Sequence, residues 1–296
     1  MCVGLATADL IVELPRWPEP DGRLVVEPMR EAEGGPAATA AVAAARLGAS
    51  VGFVGAVGED AAGERIRSAL TGDGVEVDGV QVLPGQSAAS VILVDRSSGT
   101  RTILHAPGVQ LETLSPVGRG ALADATWVHV DSVGWPLVSS VPRARLSVDA
   151  GNAVENVDLS GVGLYAPTAS AIRARYPDAG LGDAIRSALD EGALRVAVTL
   201  GGEGAVAADA AGAWRVAPPP VEIRSTLGAG DVFHGAFVVA LAEGTRLPEA
   251  LQTATVAATL SCRGLDGRST IPTREELEAA CRAAPLVEPI VLDDLA

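Results

Sequence analysis

The chain has no lysine; all 22 of its basic residues are arginine. That absence excludes a P-loop of the GKS/GKT type, a Schiff-base lysine and a pyridoxal-phosphate lysine, since each depends on the ε-amine. Cysteine is nearly absent, and Cys2, Cys262 and Cys281 form an odd, scattered set. Such a set builds no disulfide framework and points to a reducing compartment. The three histidines, His105, His129 and His234, stand far apart, which gives a zinc site little to work with. Aromatic residues are few, with four Trp, two Tyr and three Phe. No run approaches the ~18 uncharged apolar residues that span a bilayer. The start, MCVGLATADL, has no basic region before its apolar stretch, so it does not read as a signal peptide. A soluble, cytoplasmic protein is the expectation.

What is present describes a globular chain. Its 296 residues are 48% hydrophobic and 20% charged, enough for a sizeable core in one large domain or one and a half. The formal charge of -15 repels nucleic acid and anionic membrane surfaces, so neither is expected as a partner.

Short apolar runs alternate with longer Ala-rich segments studded with Arg and Glu. Residues 51–55, 125–131, 145–149, 163–166 and 195–200 read as strands buried on both faces. Residues 36–47, 61–73, 181–191, 229–243, 248–262 and 274–283 read as helices, with Pro248 and Thr273 as starts and Gly48 as a stop. This alternation predicts an α/β fold with a mainly parallel sheet and helices on both faces. Two stretches break the pattern. Residues 10–30 are extended and carry Pro15, Pro18, Pro20 and Pro28. Residues 87–105 read as a hairpin turning at Arg96-Ser97-Ser98-Gly99. Both fit a small β lid, residues 10–33 and 86–106, inserted into a large domain of residues 1–9, 34–85 and 107–296. The alanine richness reads as general composition.

Three glycine motifs carry the chemistry. In Ser225-Thr226-Leu227-Gly228-Ala229-Gly230-Asp231, a turn almost without side chains opens an apolar helix. Unpaired N–H groups there should hold an anion, and the helix terminus should keep Asp231 ionised. A carboxylate beside an anion hole suits a reaction in which a hydroxyl loses its proton while a phosphoryl group is held close. A tight turn with Asp231 as a helix cap reads the same four residues equally well. Gly34-Gly35-Pro36-Ala37-Ala38-Thr39 places a glycine pair before a helix, where a small substrate can lie against backbone and Thr39 offers a hydroxyl. Taken alone it is a plain helix start. Val198-Thr199-Leu200-Gly201-Gly202-Glu203-Gly204 runs from a strand into a glycine turn, either a hairpin or a platform for a nucleotide.

Together, GGPAATAAVAAARLGA (34–49), the GAGD turn and VTLGGEGA resemble the PfkB, or ribokinase-like, carbohydrate kinases. The resemblance runs over nearly the whole chain and includes Gly4…Asp9, residues 54–63 and Gly99-Thr100-Arg101-Thr102. It implies a ribokinase-like three-layer α/β/α domain with a β lid, and transfer of the γ-phosphoryl of ATP to a sugar hydroxyl with Mg²⁺. It assigns Asp231 as the base and the amides of Gly228, Ala229 and Gly230 as the anion hole. Thr199, Gly201 and Gly204 would lie along the nucleotide; Asp9, Gly34, Gly35 and Thr39 would hold the sugar. Within the family, GGPAAT, GAGDVFHGA and Arg268…Ile271-Pro272 are similar to sulfofructose kinases. A sulfonate needs cationic donors, and Arg23 and His105 are the candidates. The resemblance also implies a homodimer closed through the lid.

The chain departs from the family at three places. Ser132-Val133-Gly134 stands where a sulfosugar site would carry another arginine, which leaves other ketoses open. Ser225 replaces the Asp that helps bind a monovalent cation. Thr168-Ala169-Ser170-Ala171 replaces the Asn-x-x-Glu that supports Mg²⁺, so no metal ligand is named. A nucleoside kinase of the same fold, and a sugar-sensing homologue of reduced activity, are the alternatives.

Overall fold

The structure, a computed structural model, describes residues 1–26, 29–98 and 100–295. Pro28 and Gly99, expected in the extended segment and the hairpin turn, lie outside them. In chain order the elements are β1 (Cys2–Val3), β2 (Thr7–Leu14), β3 (Met29–Gly34), α1 (Pro36–Arg46), β4 (Gly52–Gly58), α2 (Ala61–Gly72) and β5 (Glu76–Leu83). They continue with β6 (Ala89–Asp95), β7 (Arg101–Ala106), α3 (Pro116–Asp124), β8 (Val128–Val130), β9 (Leu146–Ala150), β10 (Leu164–Pro167), α4 (Ala169–Arg175) and α5 (Leu181–Asp190). The last are β11 (Arg195–Thr199), β12 (Ala205–Asp209), β13 (Gly212–Val216), α6 (Ala229–Ala242), α7 (Leu247–Ser261), α8 (Arg274–Ala283) and β14 (Glu288–Ile290).

A ten-stranded sheet runs β14-β13-β12-β11-β10-β9-β8-β1-β4-β5. From β5 to β11 all neighbours are parallel; from β11 to β14 they are antiparallel. Every residue of β8, β9 and β10 is buried, which explains why their sequences are mostly apolar, with His129, Ser147 and Asp149 as the buried polar exceptions. One face packs against α1, α2, α6, α7 and α8, and the other against α3, α4 and α5. The fold is the expected α/β/α sandwich. No helix among the described residues is long and apolar enough to cross a membrane.

The alanines do more than set composition, which corrects the sequence reading. Residues 37–44 of α1 are all buried, and α6 lies directly on them. A methyl group on Gly235 would come within 2.4 Å of the Ala40 carbonyl oxygen. Only small side chains permit that approach, and it seats the start of α6 beside the start of α1. Helix α7 begins at Leu247, one residue before Pro248, because a proline in the first turn gives up an N–H that has no intrahelical partner. Helices α3 and α4 went unseen in the sequence. Each is short and buries few side chains, so apolar periodicity is weak, and only the caps Ser115 and Thr168 announce them.

A second, four-stranded sheet runs β3-β2-β6-β7. Its buried face carries Ile11, Ile92 and Val94, packed on Leu265. The ladder starts at Thr7 and ends at Gly34, so Asp9 and Gly34 are strand residues of this sheet. Residues 15–26, expected to be extended, form no strand; three prolines there withhold ladder donors. Every residue of the edge strand β7 is exposed.

Candidate active site

The start of α6 is built by glycine. Gly228 caps it at φ +70°, a left-handed conformation other residues avoid. A methyl there would also come within 2.9 Å of Gly267. The first helical hydrogen bond is from Val232 N to Gly228 O at 2.9 Å, so the amides of Gly230 and Asp231 precede the ladder. A methyl on Gly230 would meet nothing within 4 Å, so this turn faces open space. Backbone donors facing outward at a helix start can hold a phosphate.

Asp231, the third residue of α6, lines a narrow cleft of about 30 Å³ with Asp9, Gly34, Gly35, Thr39, Leu227 and Gly228. The glycine pair makes room for it. A methyl on Gly34 would lie 2.0 Å from Asp9 Oδ2, and one on Gly35 2.3 Å from the Leu5 carbonyl oxygen. Tertiary structure thus joins the GAGD turn and the GGPAAT segment, about 190 residues apart, in one cleft. Ala229 and Gly230 flank it without lining it.

Asp231 is not held ionised by the helix end, contrary to expectation. Loss of hydration and the Asp149 carboxylate push its pKa up to about 7. The partial charge of a helix start is worth under ~2 kcal/mol, less than the cost of burying a carboxylate next to another. A carboxyl near 7 can accept a proton at neutral pH and is a stronger base than an ordinary aspartate. Asp9 is also raised, mainly by burial, and its Oδ1 has no hydrogen-bond partner.

Arg268, quoted from the sequence only as part of a motif, is the residue the sequence undervalued. It is buried, with its Nε donating to Thr39 Oγ1 at 3.2 Å and Nη2 to the Gly34 carbonyl at 2.8 Å. It ties the glycine pair to the chain end that follows α7. Its Nη1 has no partner, and burial lowers its pKa. Asp131 was likewise missed. It accepts from the amides of Leu5, Ala37, Val133 and Gly134 at 2.8 to 3.3 Å, stitching β1 to the start of α1. Burial pushes its pKa to about 6.

The remaining expected residues stand apart from the cleft lining. Arg23 is exposed between β2 and β3 and has no partner among the described residues. His105 is exposed on β7, its Nδ1 3.2 Å from Ser90 Oγ, and Ser90 pairs across the ladder with Asp9. Arg101, from the same strand, donates to Thr226 Oγ1 at 3.0 Å and so joins the second sheet to the turn before α6. Thr199 ends β11 and bridges to Thr168. Gly201, at φ +61°, borders open space, whereas Gly204, at φ +89°, is fixed by the hairpin: a methyl there would lie 2.0 Å from Val216 O. Thr168 caps α4 through Ala171 N, and no carboxylate is present at 168–171. The Ser225 hydroxyl accepts from Leu227 N at 3.1 Å.

The histidines correct the expectation drawn from their spacing. His129 and His234 meet, with ring centroids 5.4 Å apart, and Asp149 Oδ2 lies 3.1 Å from His234 Nδ1. Burial works against protonation of His234, but Asp149 outweighs it and raises its pKa; burial drives His129 down to about 3.

A parallel sheet, an open helix start and a raised carboxyl in a cleft fit a phosphotransferase that acts on an alcohol group. The pfkB family carbohydrate kinase pattern matches residues 1–158 and 169–274, and the chain belongs to that family. It is similar to the ribokinase of Haemophilus influenzae, 26% identical over 291 residues that cover 93% of this chain and 95% of that one. It is similar also to the fructoselysine 6-kinase of Shigella flexneri, 29% identical over 237 residues, 76% of this chain and 87% of that one. Its fold matches the structure of Arabidopsis thaliana ribokinase complexed with ribose and ATP, with a TM-score of 0.81, 25% identity and coverage of 95% and 97%. A solved structure from Agrobacterium tumefaciens matches with a TM-score of 0.85, 29% identity and coverage of 95% and 96%.

Proposed function

We propose that this sugar kinase transfers the γ-phosphoryl of ATP to a hydroxyl of a ketose-type sugar, with Asp231 as the base. The observation that carries the reading is the cleft itself, where a carboxyl with pKa about 7 sits beside open helix-start amides and faces Asp9 across a glycine pair. Asp9 Oδ1, buried and unpartnered, accepts from a sugar hydroxyl, and Thr39, braced by Arg268, lines the same pocket. Asp231 takes the proton of the attacking hydroxyl. The amides of Gly228, Ala229 and Gly230 hold the negative charge of the phosphoryl group, where positioning and electrostatics supply most of the rate. Thr199, Gly201 and Gly204 lie along the nucleotide, and the open space before Gly201 fits a ligand approaching backbone.

Mg²⁺ accompanies the nucleotide in this reading and neutralises its phosphates. The residues at 168–171 offer no carboxylate to it. Water and phosphate oxygens would then be its ligands, as Mg²⁺ often accepts. The cleft is narrow, about 30 Å³, so admitting the acceptor in this reading involves opening of the cleft between the second sheet and the start of α6. Arg23, between β2 and β3, and His105, on β7, are the cationic candidates for the far end of a sugar, including the sulfonate of 6-deoxy-6-sulfofructose. A second copy of the chain covers the exposed edge strand β7, where Ile103 and Leu104 are 46% and 56% exposed. A cytoplasmic location fits a reaction that consumes ATP.

The test is ADP release with ATP and a panel of fructose, 6-deoxy-6-sulfofructose, ribose and adenosine. Turnover highest with a ketose is expected. Turnover with adenosine alone would replace the reading with a nucleoside kinase, and no turnover with any acceptor would leave a sensor.

A further inference from the structure

Three buried side chains converge beneath the cleft. His129 is on β8, Asp149 on β9, and His234 on α6, three residues after Asp231. They are 1%, 5% and 4% exposed. Each is held from outside by one atom. Ser147 Oγ lies 3.1 Å from His129 Nδ1, Gly151 N donates to Asp149 Oδ1 at 2.8 Å, and the Ala166 carbonyl meets the His234 ring. The inward atoms are left over. His129 Nε2 and His234 Nδ1 have no hydrogen-bond partner. Asp149 Oδ2 is 3.1 Å from His234 Nδ1 but off the line of a hydrogen bond. One ligating atom from each residue lies within 4.8 Å of the others.

Outer atoms fixed by backbone or hydroxyl, and inner lone pairs aimed at one point, are how proteins prepare metal ligands. The local charge agrees, since the Asp131 carboxylate is buried close by. We propose that His129 Nε2, Asp149 Oδ2 and His234 Nδ1 bind a first-row divalent transition-metal ion, separate from the metal that travels with the nucleotide. Two imidazoles and one carboxylate suit Zn²⁺, Co²⁺ or Mn²⁺; Mg²⁺ prefers oxygen ligands alone. Donor distances of about 2.0–2.2 Å at tetrahedral angles put the three atoms about 3.4 Å apart, so atoms that lie within 4.8 Å of one another must close by up to about 1.4 Å. The ion would pin the first turns of α6 to the carboxyl ends of β8 and β9, and so fix the height of Asp231 above the sheet. This inference stands on the cluster alone and survives if the acceptor is another sugar.

The site has no open path, so loading accompanies folding. The full chain is to be refolded with Zn²⁺ or Co²⁺, then desalted in excess Mg²⁺, with metal content measured per chain and the visible spectrum of the Co²⁺ form recorded. About one ion per chain, nitrogen-ligated by the Co²⁺ spectrum and accompanied by a higher Tm, is expected. His129→Asn and His234→Gln should each lose it. Ser147→Ala keeps all three ligands and should bind with affinity reduced at least tenfold, which covers the case in which a histidine variant fails to fold. Less than a tenth of an ion per chain with no Tm change would overturn the proposal and leave a proton in the ion's place. So would full occupancy retained in both histidine variants.

Discussion

Asp231→Asn separates catalysis from stability by arithmetic the cleft provides. The wild-type carboxyl has a pKa of about 7 against an ordinary 3.8, because burial and Asp149 disfavour its charge. A carboxyl whose native pKa is raised binds more protons folded than unfolded between these values. Stability therefore falls as pH rises from about 4 to 7 and is level above. At about 1.4 kcal/mol per pH unit, carrying the charge costs up to about 4 kcal/mol at pH 8. Asparagine removes that cost and also the base. The variant, in protein freed of divalent metal, should thus match wild type in Tm near pH 4, gain progressively to pH 7, and hold a gain of several degrees at pH 8. Turnover should drop by about three orders of magnitude or more while nucleotide binding persists. For wild type, kcat/KM should decline about tenfold per unit below pH 7. Thermal melts from pH 4 to 8 with parallel ADP-release assays supply the data. A Tm difference that is flat across that range would refute the electrostatic account, and near-wild-type turnover would refute the base assignment.

Other perturbations test the walls of the cleft. Gly34→Ala puts a methyl 2.0 Å from Asp9 Oδ2, so Asp9 must rotate away; sugar KM should rise at least tenfold with a stability loss of about 1–3 kcal/mol in denaturant titrations. Arg268→Met deletes the donors to Thr39 and Gly34 together with a buried charge that forms no ion pair among the described residues. Tm should change little while sugar KM rises, and a collapse in Tm without a KM effect would make Arg268 purely structural. Because Ser225 stands where the family carries an aspartate, K⁺ titration at constant ionic strength should leave the rate unchanged within twofold. Leu104→Lys on the exposed β7 should shift a dimer to monomer in light scattering, and a monomeric wild type would remove the dimer reading.

Most of the long elements were legible because the buried parallel strands β9, β10 and β11 are largely apolar, and because Gly48, Thr273 and the glycine before Pro36 punctuate helices by local rules. The GAGD turn was legible for the same reason: three small residues and an acid at a helix start need no tertiary information to suggest an anion hole. The second sheet was legible as two interruptions, although its ladder takes in Asp9 and Gly34, which local pattern cannot assign to one sheet or another.

What the sequence determined by itself, then, were properties carried by neighbours in the chain: the periodicity of the longer strands and helices, several helix ends, the GAGD and GGPAAT turns, and the chemistry excluded by a lysine-free composition. Only tertiary structure decided properties that depend on the distance between remote residues and on loss of water. It raised the pKa of Asp231 to about 7 through burial and through Asp149, 82 positions away, against the local pull of the helix end. It made Arg268 a brace for Gly34 and Thr39. It also brought His129 and His234 together, because parallel strand ends and the first turns of α6 share one edge of the sheet. Coulomb and desolvation energies follow separation in space, and spacing along the chain does not report it.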